Sequence, residues 1–200
     1  MKKLTKTAKT LDTVFKILFW LVLAAGILIC AVFAIFLIMT LTGKEIGPVL
    51  NGLDIGFISF QLSEGDFPAP RNAVIMHICA MVGLAVGIAL VCCWIKIIRK
   101  ILAPMTQGQP FHSAVSTNLK KLGWVELIGG IVIVAAELAG NLLMVRSYDL
   151  QHLFLNDRIT GVHFNYELDI TFVIISAVLF LLSYIFRYGS ELQQLSDETL

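Results

Sequence analysis

The stretch LGWVELIGGIVIVAAELAGNLLMV, residues 122–145, is long enough to cross a lipid bilayer, yet it carries two glutamates. At about 1.5 Å per helical residue it reaches roughly 36 Å, and the hydrocarbon core of a bilayer is about 30 Å thick. A carboxylate near the bilayer centre costs about 2.5–3.5 kcal/mol on insertion scales, so it usually faces the interior of a bundle. The stretch therefore predicts a membrane helix that packs against other helices.

Three further segments contain no Asp, Glu, Lys or Arg and have the length of a membrane span: residues 17–43, 72–95 and 170–186. The chain is 58% hydrophobic and 14% charged, which is too apolar for an ordinary soluble domain. We therefore predict an all-α membrane protein, a four-transmembrane-helix bundle that forms one domain over residues 1–200. The predicted helices cover about residues 14–42, 73–103, 113–146 and 168–195. We expect the first to be retained, because its apolar run is longer than that of a signal peptide.

Lysine and arginine are unevenly divided between the two predicted sides of the membrane. Eleven of the fifteen lie in the N-terminal segment, the middle loop or the C-terminal tail, and four lie in the other two loops. Basic residues are enriched in cytoplasmic loops. Trp20, Trp94 and Trp124 lie at the same ends of their helices, as interfacial anchors do. The sequence thus predicts a multi-pass protein of the cytoplasmic membrane with both termini in the cytoplasm.

The two predicted outer loops cover about residues 43–72 and 147–167. Each contains or overlaps a segment with the sequence pattern of a β-strand. Residues 53–62, LDIGFISFQL, follow an Asn-Gly turn signal and are rich in β-branched and aromatic residues, which predicts one or two strands. Residues 161–169, GVHFNYELD, alternate apolar and polar side chains. Because an isolated hairpin is marginal in water, we predict that both segments join in a small extracytoplasmic β cap.

Glu126 and Glu137 share one face of their helix. They are 11 residues apart, which at about 100° per residue leaves them roughly 20° apart around the helix axis. Glu126 lies near the predicted cytoplasmic surface, so we predict an ion pair with Arg99, Lys100 or Arg187 there. Its role is then structural.

Glu137 lies deeper and is predicted to belong to a buried polar network with Asn141, with His77 of the second helix and with Ser176 of the fourth. Two interpretations of this network stay open. In one, Glu137 is protonated and its hydrogen bond fixes the helix packing. In the other, Glu137 and His77 gate a proton or bind a cation, which would make the protein a small ion- or proton-coupled transporter.

Sequence motifs for catalysis or metal binding were sought and not found. The chain has no HExxH, GxSxG or P-loop motif, and its four cysteines have no CxxC spacing. A net charge of +1 gives no support for nucleic-acid binding. We therefore predict no enzymatic activity, no cofactor, no metal site and no direct contact with nucleic acid.

Two segments at the predicted cytoplasmic face, GQPFHSAVSTNLKKLGW (residues 108–124) and FRYGSELQQLSDETL (residues 186–200), resemble the signatures of a bacterial four-span membrane family, domain of unknown function twenty-nine seventy-five. In its approach to the final aspartate this chain is less acidic than the family pattern. The matching residues are Gly108, Pro110, Phe111, Asn118, Leu119, Gly123, Phe186, Arg187, Gly189, Leu192, Gln193 and Asp197.

The resemblance supplies no catalytic residues, and it implies a small helix-turn-helix regulator as a candidate partner. We therefore expect a non-enzymatic membrane protein that senses or binds at its outer face and relays to a cytoplasmic regulator. The sequence predicts no oligomeric state. The expected contact surface is a cytoplasmic motif made of Gly108, Pro110, Phe111, Asn118, Arg187 and Gly189.

Overall fold

Four long helices make up most of the described protein. The computed structural model describes residues 2–42, 52–55, 58–61, 70–148 and 169–198. The helices are α1 (Lys2–Leu41), α2 (Pro70–Thr106), α3 (Ser113–Tyr148) and α4 (Thr171–Glu198). Each contains a segment long and apolar enough to cross a membrane. The prediction of a helical, multi-pass membrane protein is therefore confirmed.

A two-stranded antiparallel hairpin lies between α1 and α2, in the segment where one or two strands are predicted. Its strands are β1 (Gly52–Ile55) and β2 (Ile58–Gln61), and their register pairs Gly52 with Gln61 and Ile55 with Ile58. The predicted strand of the second outer loop, residues 161–169, lies outside the described residues except for Asp169, which caps the last helix. The structure therefore does not support a β cap built from both loops.

The chain divides into two compact units. One contains Met1–Gly26, Val86–Val134 and Leu168–Leu200, and the other contains Ile27–Ala85 and Ala135–Glu167. The first unit holds the hydrophobic core and the two segments of the family resemblance. The second holds the hairpin and the part of α3 that carries Glu137.

Helix α1 begins at Lys2 rather than near residue 14, so the basic N-terminal segment is helical as well. Each of its threonines at 7, 10 and 13 donates its hydroxyl to the carbonyl four residues earlier, at 3.0–3.1 Å. Ala8 is only 4% exposed. The apolar run alone gives no sign of this extension, because lysine and threonine surround the few apolar positions that pack.

Helix α2 continues past Pro104, where it was predicted to stop, and ends at Thr106. The end is set by Gly108, whose φ of 82° lies in the left-handed region. The Gly108 N–H donates to the Met105 carbonyl and the Gln109 N–H donates to the Pro104 carbonyl, both at 3.1 Å. These two bonds form a Schellman cap. The other helix ends lie within three residues of their predicted positions.

The packed core lies where most of the basic residues lie. We call this region, residues 2–16, 95–125 and 179–198, the basic end. The five buried residues of the core are Ile97, Ile101, Val115, Leu119 and Leu122, and around them pack Trp94, Ile98, Met105, Val125, Leu179 and Phe186. Elsewhere on the helices many large apolar side chains are exposed, among them Ile35 at 58% and Ile174 at 61%. Lipid is the medium that suits such surfaces.

Helix α4 begins at a carboxylate cap. The Thr171 N–H donates to Asp169 Oδ1 at 2.8 Å. The hydroxyl of Thr171, and then its backbone N–H, hold the pKa of the Asp169 carboxyl below its ordinary value of 3.8. An anionic cap also suits the positive end of the helix dipole.

The Asp169 cap predicts a pH dependence at the start of α4. Because the folded-state pKa is depressed, the stabilisation is fully present above about pH 4 and is lost as the pH falls through the folded value. A carbon-13 NMR titration of Asp169 in micelles is expected to give a pKa below 3.8. Thr171→Val should move it upward towards the ordinary value. A wild-type pKa at or above the ordinary value would contradict the cap.

Candidate functional site

The two segments that resemble the family signatures meet at Phe111. The Phe111 ring contacts the Phe186 ring, with centroids 5.9 Å apart and planes inclined by 37°. It also lies on Gly189, where an added Cβ would come within 2.7 Å of Phe111 Cδ1. The Gly108 cap and Pro110 lead the chain directly into this contact. Phe111 itself stays 43% exposed, so its ring forms both a packing contact and part of the surface.

A second set of contacts holds α3 against α4. The Phe180 ring packs on Gly123, whose added Cβ would lie 2.8 Å from Phe180 Cε1. It also meets the Trp124 ring edge-to-face, with centroids 5.4 Å apart. The Ser183 hydroxyl donates to the Ser116 carbonyl at 2.8 Å. Gly123, a residue of the family pattern, is thus explained by packing between these helices.

Asn118 was predicted as part of the partner contact surface, but its side chain makes a hydrogen bond within α3. Its Nδ2 donates to the Ala114 carbonyl at 2.8 Å. Leu119, the next residue, is 7% exposed and belongs to the core. Of the predicted cytoplasmic motif, Phe111 and Arg187 are the exposed members, whereas Gly108 and Gly189 shape the backbone around them.

A pocket of about 240 Å³ opens beside Phe111, between the α2–α3 turn and α4. Its lining carries amides, hydroxyls and one imidazole, but no Asp, Glu, Lys or Arg: Gln109, Phe111, His112, Ser113, Ser190, Gln193 and Gln194. His112 Nδ1 accepts the Ala114 N–H at 3.1 Å and so caps α3. Phe111 and Gln193 were named from the sequence, but the pocket that they line was missed, because Gln109 and Gln194 belong to no pattern that predicts one.

The ion pairs at the basic end differ from those predicted for Glu126. Arg99 Nε bonds to Asp12 Oδ1 at 2.8 Å, and Arg187 Nε bonds to Glu191 Oε1 at 3.0 Å. The pairing of Glu126 with Arg99 or Arg187 was therefore wrong for both arginines. The helical extension of α1 brings Asp12 to Arg99. The second pair joins residues i and i+4 of α4, a spacing at which opposite charges meet on one helix face.

The exposure of these two pairs predicts different effects on stability. The side chains of Arg99 and Asp12 are 35% and 34% exposed, whereas those of Arg187 and Glu191 are 73% and 56% exposed. Asp12→Asn is expected to lower the free energy of unfolding by about 1–2 kcal/mol, because it leaves a half-buried guanidinium without its carboxylate. Glu191→Gln should cost less than about 0.5 kcal/mol. Unfolding in mixed detergent micelles measures both, and equal losses would contradict the account.

The predicted buried polar network is not what the structure shows. Glu137 and Asn141 are exposed, His77 is half-buried and Ser176 is 1% exposed. Ser176 belongs to the first compact unit, and the other three belong to the second. Every residue from 135 to 142 of α3 is exposed. Helical periodicity places residues on a common face correctly, but it does not say which face a neighbour covers.

Ser176 offers a test of that correction. Its Oγ is buried, and it has no hydrogen-bond partner in the part of the chain that the structure describes. Ser176→Ala is therefore expected to raise the free energy of unfolding by about 1 kcal/mol, because a buried hydroxyl without a partner carries a desolvation cost. Ser183→Ala, which removes the bond to Ser116, should lower it by about the same amount. A lower free energy of unfolding in Ser176→Ala would instead support the predicted network.

Among the described residues there is no cluster of three or more His, Cys, Asp or Glu side chains that could hold a metal ion. Four cysteines of the described helices are free thiols, Cys30, Cys79, Cys92 and Cys93. No family model, curated protein or solved structure matches this chain. The resemblance to the four-span family therefore stays a prediction.

Proposed function

We propose that this protein is a non-enzymatic, multi-pass protein of the bacterial cytoplasmic membrane that docks a soluble partner on its cytoplasmic face and relays to it a state set at the outer loops. The observation that carries the proposal is the pocket beside Phe111. It lies on the best-packed part of the described chain, next to the core of the basic end. A docking surface must keep its shape between encounters, and a packed core provides that rigidity.

The chemistry of the pocket suits a protein side chain. Gln109, Gln193 and Gln194 each offer an amide that both donates and accepts hydrogen bonds. The exposed part of the Phe111 ring gives the pocket an apolar wall. An apolar centre with a polar rim is the usual anatomy of a protein interface. A volume of about 240 Å³ accommodates one large side chain of a partner.

The partner we propose is a small helix-turn-helix regulator, which is what the family resemblance implies. In this proposal the regulator reads the DNA, and the membrane protein does not touch nucleic acid. The hairpin of β1 and β2 supports the outer part of the proposal, because it provides an ordered element in the first outer loop. A cap that also includes the second outer loop belongs to the same proposal.

The experiment is affinity purification of the full-length protein from native membranes. We expect a small helix-turn-helix protein to co-purify, and the double variant Gln193→Ala/Gln194→Ala to lose it by tenfold or more. Glu198→Gln, an exposed change on the same helix, is the matched control and should retain the partner. These glutamines line the pocket rather than the core, so the double variant should keep the wild-type melting temperature. Undiminished recovery with the double variant would contradict the pocket as the docking site.

A carrier that uses Glu137 is the other function raised by the sequence, and the geometry favours it less. Glu137 is exposed, as are its neighbours from residue 135 to 142, so the described residues show no enclosed path past it. Glu137→Gln keeps a neutral hydrogen-bond donor and removes proton exchange. Proton flux in liposomes that is abolished by Glu137→Gln would favour the carrier over the relay.

A further inference from the structure

A second pocket of the basic end, larger than the first, opens between α3 and α4. Its volume is about 600 Å³, which lies within the range of small-ligand sites. The lining residues are Ser116, Thr117, Lys120, Trp124, Phe180, Ser183, Tyr184 and Arg187. We call it the α3–α4 groove. It shares no lining residue with the pocket beside Phe111.

The groove combines interfacial aromatic rings with cations at a defined distance. Trp124 is 49% exposed and Tyr184 is 71% exposed, as expected for side chains at the boundary between lipid tails and headgroups. Lys120 lies four residues from Trp124 and Arg187 lies three residues from Tyr184, both towards the basic end. At about 1.5 Å per residue the two cations are roughly 5–6 Å further from the membrane centre than the aromatic rings. That is where lipid phosphates lie.

The serine and threonine hydroxyls of the groove already donate their hydrogens to backbone carbonyls. Thr117 and Ser116 donate to the Ser113 carbonyl at 3.1 Å and 3.0 Å, and Ser183 donates to the Ser116 carbonyl at 2.8 Å. Their oxygens therefore present lone pairs to a ligand. A ligand that satisfies both features has an anionic phosphate for the cations and its own hydroxyl donors for these oxygens.

We propose that the α3–α4 groove binds the headgroup of an anionic glycerophospholipid, with the phosphodiester at Lys120 and Arg187 and the glycerol hydroxyls at the oxygens of Ser116 and Thr117. Arg187 Nε is bonded to Glu191, and the other two nitrogens of the guanidinium remain to serve the phosphate. Phosphatidylglycerol has both groups. Phosphatidylethanolamine is disfavoured, because its ammonium would lie beside two cations.

The proposal does not depend on the partner docking described above, since it needs only the membrane spans and this groove. Basic pockets between membrane helices are recognised as sites for lipid headgroups in general. Here the helix contacts of Gly123 and Ser183 hold the two walls together. Lipid bound in the groove would therefore bridge α3 and α4 at the surface of the bilayer.

The test is native mass spectrometry of the full-length protein in detergent, titrated with phosphatidylglycerol or phosphatidylethanolamine. Lys120→Gln and Arg187→Gln are each expected to weaken phosphatidylglycerol binding by roughly fivefold, and the double variant by about 25-fold. Lys120→Arg should retain binding. Lys121→Gln is the matched control, because it removes the same charge one residue away and outside the groove.

Three results would overturn the proposal. One is an equal loss of binding in Lys121→Gln and Lys120→Gln, which would mean that charge alone attracts the lipid. Another is equal binding of phosphatidylethanolamine and phosphatidylglycerol by the wild type. The third is full displacement of the lipid by soluble glycerol phosphate at the same concentration, which would make a free phosphate ester the ligand. The partner assay tests Gln193 and Gln194, which do not line the α3–α4 groove. Either proposal can therefore fail while the other holds.

Discussion

Leu119→Ala is expected to lower the free energy of unfolding by about 2–5 kcal/mol, the cost of removing a buried leucine side chain and leaving a cavity. Leu119 is 7% exposed and contacts the core of the basic end. Reversible unfolding in mixed micelles, followed by tryptophan fluorescence, measures the change. The reason is the concentration of packing at this end of the helices, where a deleted side chain cannot be replaced by lipid.

Leu142→Ala is the matched control on the same helix. Leu142 is 56% exposed, and lipid tails can fill the space that its side chain leaves. We expect a change below about 0.5 kcal/mol, in line with substitutions at exposed positions. If the two variants lost equal stability, the hydrophobic core would not be confined to the basic end.

Gly130→Ala is the substitution with the second-largest expected effect. An added Cβ at Gly130 would overlap the Phe172 side chain, including its Cβ at 2.6 Å, which no rotation of the ring can move away. Overpacking of this kind costs about 1–3 kcal/mol, and it should exceed the gain in helix propensity from glycine to alanine. The same unfolding assay measures the loss.

The neighbouring residue provides the control. At Gly129 an added Cβ would lie 3.4 Å from Leu90 Cδ2, which is ordinary van der Waals contact. Gly129→Ala should therefore be neutral or stabilising by up to about 1 kcal/mol, since alanine is the better helix former. Equal destabilisation of the two variants would contradict the close contact of Phe172 with Gly130.

The four spans could be predicted from the sequence because their signal is local. An apolar run of the right length crosses a bilayer whatever its neighbours are, so the position of each span follows from the run itself. Gly108, named from the sequence only through the family resemblance, is the cap of α2. Residues 108–124 and 186–200, the two segments of the family resemblance, touch at Phe111 and Gly189.

The contacts between helices could not be predicted in the same way. Arg99 binds Asp12 instead of Glu126 because α1 is helical from Lys2, and nothing in the apolar run indicates that extension. Glu137 shares a face with Glu126, but that face is exposed at residue 137. Periodicity fixes angles around one helix axis, whereas the choice of ion-pair partner depends on the relative position of two helices.

The account places the core and the docking pocket of this protein at one end of four membrane helices, and it proposes that this end lies in the cytoplasm. The most direct measurement is labelling of single cysteines with a membrane-impermeant maleimide in a cysteine-free variant, on intact cells and on permeabilised cells. Gln194→Cys is predicted to react after permeabilisation alone, and Asn156→Cys of the second outer loop to react in intact cells. Labelling of Gln194→Cys in intact cells would contradict the account.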